Sequence, residues 1–132
     1  MRRMLRPLDP PTIRAPFARY SHAIEVPAGT RLVFCSGQLG IGVDESVPAT
    51  VGAQAERCFE NIRAILAEAD LELSDIVRIN AYVTRREDMA GYMAVRDRMV
   101  GDPPPASTLM VVSGFTRPEF LVEIEVVAAG RA

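Results

Sequence analysis

A single apolar stripe through residues 50–69 limits the fold more than anything else in the sequence. Val51, Ala55, Cys58, Phe59, Ile62, Ile65, Leu66 and Ala69 recur at three- and four-residue steps, the period of a helix with one buried face. Thr50 stands where an N-cap belongs. Glu56, Arg57, Glu60, Arg63 and Glu68 lie mainly off the stripe. A helix of this kind must lay its stripe against another apolar surface. Cys58 falls on the stripe and reads as a small core residue rather than a nucleophile.

A second helical pattern covers residues 89–100, with Met89, Tyr92, Met93, Val95, Met99 and Val100 on its inner side. The methionines read as core filler. Asp88 is the expected N-cap, Gly101 fits the C′ position, and Pro103-Pro104-Pro105 forbids continuation. Between and around the helices the period changes to two. Residues 76–84 put Val77, Ile79, Ala81 and Val83 on one face and Arg78, Asn80, Tyr82 and Thr84 on the other. Residues 120–127 separate Phe120, Val122, Ile124 and Val126 from Leu121, Glu123, Glu125 and Val127. Residues 108–112 read as a further strand. Residues 20–26 and 32–36, joined by the Pro27-Ala28-Gly29-Thr30 turn, read as a hairpin.

The order is ββ-α-β-α-ββ, an α+β fold in which two helices cover one face of a single sheet. The opposite face mixes Asn80, Tyr82, Glu123 and Glu125 with Leu121 and Val127, which suits a subunit interface with clefts better than open solvent. Residues 1–16 carry four arginines and four prolines and read as an extended arm, ahead of a domain over residues 17–132.

Composition removes whole classes of function. All 15 basic residues of the 132 are arginine, so lysine Schiff-base chemistry and a P-loop lysine are impossible. His22 is the only histidine, which excludes a multi-histidine metal site within the chain. The net charge of −2 argues against a protein built to wrap nucleic acid. No apolar run is long enough to span a bilayer. The basic N-terminus lacks the apolar core of a secretory signal, so the expected compartment is the cytoplasm. Cys35 and Cys58, far apart in such a chain, do not form a disulfide framework. Gly37, Gly40 and Gly42 lack the spacing of a phosphate loop.

Few residues offer chemistry. Glu123 and Glu125 project from one strand face roughly 7 Å apart, a spacing open to paired-carboxylate acid–base work or to simple solvation and ion pairing. His22 reads as a hydrogen-bonded structural residue. Ser36 and Ser107 lack a Gly-x-Ser-x-Gly elbow. Arg14, Arg19, Arg78, Arg96 and Arg117 each offer a fork for a carboxylate.

Several blocks together resemble the Rid family, also called YjgF or endoribonuclease L-PSP. They are Tyr20-Ser21-His22-Ala23, Phe34-Cys35-Ser36-Gly37-Gln38-Leu39, Val47-Pro48-Ala49, Gln54-Ala55, Asn61 to Leu66, Asp75-Ile76-Val77-Arg78, Pro105-Ala106 and Val122-Glu123-Ile124-Glu125. The resemblance implies a chorismate-mutase-like fold, a homotrimer with ligand clefts between subunits, and no cofactor. It implies hydrolysis of enamine and imine acids such as 2-aminoacrylate and 2-iminopropionate. In the family pattern the first glutamate of the closing Glu-x-Glu handles water, which falls on Glu123. Tyr20 and Ser36 match pocket positions. The carboxylate clamp, an arginine after the Pro-Ala, is Ser107 here, and a neutral hydroxyl cannot replace a bidentate charged pair. Met93 and Leu109 stand where relatives often carry asparagine and cysteine, so the pocket is less polar. Arg19, or Arg14 on the arm, is the expected substitute cation. The expected ligand is a small molecule, turned over by a deaminase or held by a non-catalytic binding trimer. An RNA-acting protein, the third possibility, is disfavoured by the charge.

Overall fold

The computed structural model describes residues 5–130. The first four residues of the expected arm, and residues 131–132, lie outside them. The elements are β1 (Arg6–Pro7), β2 (Ile24–Glu25), β3 (Arg31–Leu39), α1 (Val51–Ala67), β4 (Ile76–Val83), α2 (Met89–Met99), β5 (Ala106–Val111) and β6 (Val122–Gly130), with short 3₁₀ turns at Leu73–Asp75 and Arg86–Asp88. The main sheet has the order β3-β6-β4-β5. Its pairings are antiparallel except β4 with β5, which run parallel because α2 crosses between them.

The expected class and element order hold. α1 forms along the apolar stripe, with Thr50 Oγ1 accepting from the Ala53 backbone N–H at 3.2 Å. It lays Ala55, Cys58, Phe59, Ile62 and Leu66, all fully buried, against β3 and β6. Each such side chain contributes on the order of 1.5–3 kcal/mol where it is large. α2 packs on α1, close enough that a Cβ on Gly91 would press into Val51. Ile79, Ala81 and Val83 from β4 and Val122, Ile124 and Val126 from β6 complete the core, on the faces the alternation assigns to them. No helix among the described residues is long and apolar enough to cross a membrane.

The hairpin expectation is corrected. Residues 20–26 do not pair with β3. Ser21 is drawn to the start of β5: its backbone N–H donates to the Pro105 carbonyl at 3.0 Å and its hydroxyl to Pro104 at 2.6 Å. Ile24 and Glu25 pair instead with Pro7 and Arg6, forming a separate two-stranded ribbon. A period of two assigns faces, not partners, and β3 takes β6 as its neighbour. The Asp88 cap is also corrected. Asp88 has helical backbone and no capping bond; its carboxylate accepts from Arg85 at 2.9 and 3.1 Å.

The outer sheet face is mixed, as the alternation indicates. Arg78 donates to Asn80 at 3.0 Å and to Thr108 at 2.7 Å, and Tyr82 donates to Glu125 at 2.5 Å. Beside this polar row Leu32, Phe34 and Met110 are 50%, 75% and 53% exposed.

Candidate functional site

The residues singled out in the sequence fall into two groups at opposite sides of the sheet. The first lies where β6 begins. Glu123 stands opposite Leu39 on β3 and Tyr82 on β4. The β3–β6 ladder breaks register between Cys35 and Gln38, a bulge that bends the strand and re-aims its side chains. Ser36 sits exposed in this bulge. Gly37 follows, and a Cβ there would collide with the Glu123 carboxylate. Only glycine lets that carboxylate lie over the β3 backbone.

The two glutamates differ in their surroundings. Glu125 accepts the Tyr82 hydroxyl, and that bond is the main reason the Tyr82 phenol is raised above its usual value. The Glu123 carboxylate has no hydrogen-bond donor among the described residues and stays half-buried. Beneath it Cys58 Sγ donates to the Gln38 carbonyl at 3.2 Å. Burial first, and then the Glu123 charge, push this thiol up to about 12. A thiol so held is no thiolate near neutral pH, which agrees with its reading as a core residue. Among the described residues no group of three or more His, Cys, Asp or Glu side chains is arranged to hold a metal ion.

The second group surrounds the start of β5. Tyr20 precedes the Ser21 bridge to Ala106, and its hydroxyl accepts the Phe17 backbone N–H at 3.3 Å. The Arg19 guanidinium donates to the Asp97 and Gly101 carbonyls at 3.3 and 2.9 Å. It thus sits on the C-terminal end of α2, where a cation is favoured. Arg14 stacks on Phe17, 3.8 Å from its ring centroid. His22 Nε2 is 2.7 Å from the Arg14 carbonyl. Ser107 pairs in register with Ile79, so its side chain turns to the helix face, toward α2. β4 separates β5 from β6, which sets the strands carrying Ser107 and Glu123 about 10 Å apart. One chain therefore holds the two groups on different strands and different faces.

The sequence model of the family described as endoribonuclease L-PSP matches residues 12–130. The chain belongs to this family. It is the Rid, or YjgF, family of the resemblance above. The chain is 38% identical over 111 residues to protein DfrA of Myxococcus xanthus, covering 83% of each. It is 27% identical over 122 residues to a 2-iminobutanoate/2-iminopropanoate deaminase of Dermatophagoides farinae, covering 91% of this chain and 92% of that one. The solved structure of RidA from an Antarctic Psychrobacter superposes with a TM-score of 0.70 at 33% identity, covering 86% and 90% of the two chains.

Ser107 Oγ is buried and has no hydrogen-bond partner. Met93 and Leu109 are half-buried and pack against the core. Sequence reasoning passed over two features. Gly37 was legible only as part of a sequence block and of a glycine run without phosphate-loop spacing, because its closeness to Glu123 depends on the bulge. Tyr92 was legible as core, and it is fully buried, yet its hydroxyl also lacks a partner.

Proposed function

We propose that this chain is a cytoplasmic hydrolase of the enamine/imine deaminase type, acting in a small-molecule cleft between the subunits of a homotrimer. The observation that carries the reading is the Glu123 carboxylate, half-buried over Gly37 and free of the hydrogen bond that occupies Glu125. In that position it takes a proton from water as the oxygen attacks an imine carbon. It then returns the proton to the departing nitrogen. Imine and water become a carbonyl compound and ammonia, with no cofactor. Ser36 directly precedes the Gly37 that the Glu123 carboxylate overlies, while Tyr20, Arg19 and Ser107 lie at the β5 edge. A second subunit would close one group against the other, which is why the cleft is assigned to the interface. The deaminase among the relatives supports the reaction class.

Ser107 argues against 2-aminoacrylate and 2-iminopropionate as the preferred substrates, since its hydroxyl cannot form a charged fork at that position. Met93 and Leu109 favour a ligand with an apolar body. Ammonia release from enzymatically generated 2-imino acids tests the reading, with wild type beside Ser107→Arg and Glu123→Gln. The expected pattern is turnover of larger, apolar imino acids by wild type, loss in Glu123→Gln, and a shift toward small imino acids in Ser107→Arg. Turnover unchanged in Glu123→Gln would remove the proposed acid–base role. Silence across all imino acids would favour the second reading that Ser107 supports, a non-catalytic trimer that binds a small metabolite. Ligands would then raise its melting temperature without being consumed.

A further inference from the structure

Five arginines carry forks suited to a carboxylate, and the structure buries one of them. Arg96 is 3% exposed, whereas Arg14 and Arg117 are exposed and Arg19 and Arg78 half-buried. Its guanidinium lies 5.8 Å from the centroid of the Tyr92 ring. Nε donates to Asp97 Oδ1 at 3.0 Å. Nη2 is 2.9 Å from the same oxygen, an ion pair off the hydrogen-bond axis, so Nη2 makes no well-aligned hydrogen bond.

Tyr92 Oη, Arg96 Nη2 and Ser107 Oγ are the buried side-chain polar atoms without a hydrogen-bond partner among the described residues. They are neighbours. Burial drives the Tyr92 hydroxyl well above its usual value, while the Arg96 charge, and then close contacts with the Ser107 and Arg96 side chains that are out of line for a well-formed hydrogen bond, act in the opposite direction. A native interior leaves few such atoms, and each calls for a missing partner. Here three occur in one place, one cationic and two hydroxylic, beneath the edge strand β5. Asp97 offsets the charge from one side only and is itself 39% exposed.

We infer that Arg96, Tyr92 and Ser107 bind the carboxylate of a small organic acid, so that α2 supplies the cation absent from position 107. A carboxylate presents two acceptor oxygens, and a guanidinium N–H with two hydroxyls can fill them. Met93 and Leu109 beside the group accept the acid's apolar side chain. The substrate class is then a 2-imino acid with such a side chain. The inference rests on the deaminase reading only for what becomes of the acid after it binds.

The test titrates the intact protein with pyruvate and with pyruvamide, its neutral counterpart, at neutral pH. It follows the Arg96 Nε–H resonance. The expected result is a saturable shift with pyruvate and none with pyruvamide. Arg96→Met should weaken pyruvate binding at least tenfold, and Arg96→Lys should fall between. If Arg96→Met fails to fold, the wild-type resonance and Arg96→Lys decide. An unmoved Arg96 signal, or equal shifts with both probes, overturns the inference. Binding through Arg96 without ammonia release from any imino acid supports it while overturning the deaminase reading. Ammonia release with an unchanged KM in folded Arg96→Met overturns it and leaves that reading intact.

Discussion

The two sides of the sheet hold their polar groups by opposite means. Where β3 meets β6, a bulge and a glycine bring a carboxylate over bare backbone, and the charge stays half-exposed. Where β5 meets α2, a guanidinium and two hydroxyls are buried with bonds unmade. The first arrangement holds a charge by crowding it over backbone. The second places its cation on α2, the layer below the strand, while β5 contributes a hydroxyl.

The largest expected effect breaks the first side. Glu123→Gln keeps the shape and removes the base, so turnover should fall by about 10²–10⁴-fold with little change in melting temperature, as steady-state ammonia release and calorimetry would report. A melting temperature that fell along with turnover would mean that Glu123 holds the fold rather than a proton.

The thiol beneath that carboxylate gives the next effect. Cys58 rises from its ordinary 9.0 to about 12 in the folded protein. Below pH 9 it is protonated in both states and stability is unaffected. Between 9 and about 12 only the unfolded chain releases the proton, so stability falls as pH rises, by about 1.4 kcal/mol per pH unit. Cys35, also raised by burial, adds to the same slope. Urea unfolding from pH 8 to 10 should show the decline, and Cys58→Ala should lessen it; above pH 10 the raised Tyr82 and Tyr92 phenols add to the fall.

These expectations rest on features the sequence exposes unevenly. The α1 stripe and the alternations of β4 and β6 were legible because each buries one face, and the period names that face. The partner of residues 20–26 was not, because alternation is blind to pairing. The β6 alternation pointed to an end at Val127, yet the strand runs to Gly130, since Ala128 and Ala129 are small enough to be buried whatever the period. Glu123 was legible from its strand and the Glu-x-Glu block. Arg96 was visible only as one of five arginines, since burial of a long cationic side chain is a property of packing rather than of local sequence.

Two smaller effects sharpen the contrast between the sides. Gly37→Ala should destabilise by about 1–3 kcal/mol, because the added methyl must displace the Glu123 carboxylate, and turnover should drop with it. Tyr92→Phe should have the opposite sign. Removing an unpartnered buried hydroxyl should stabilise the ligand-free protein by about 1 kcal/mol while weakening carboxylate binding. Denaturant midpoints of the two variants, measured together, would separate a site held by crowding from one held by unmet polarity.

The most direct measurement mixes subunits. Glu123→Gln and Arg96→Met each disable one side, and the account predicts that neither releases ammonia from imino acids at the wild-type rate. Unfolded together and refolded, they form hybrid assemblies. If each cleft takes Glu123 from one chain and Arg96 from its neighbour, some clefts in the hybrids contain both, and activity should recover. Hybrids that form and stay inactive would show that both sides act from the same chain, contradicting a cleft shared between subunits.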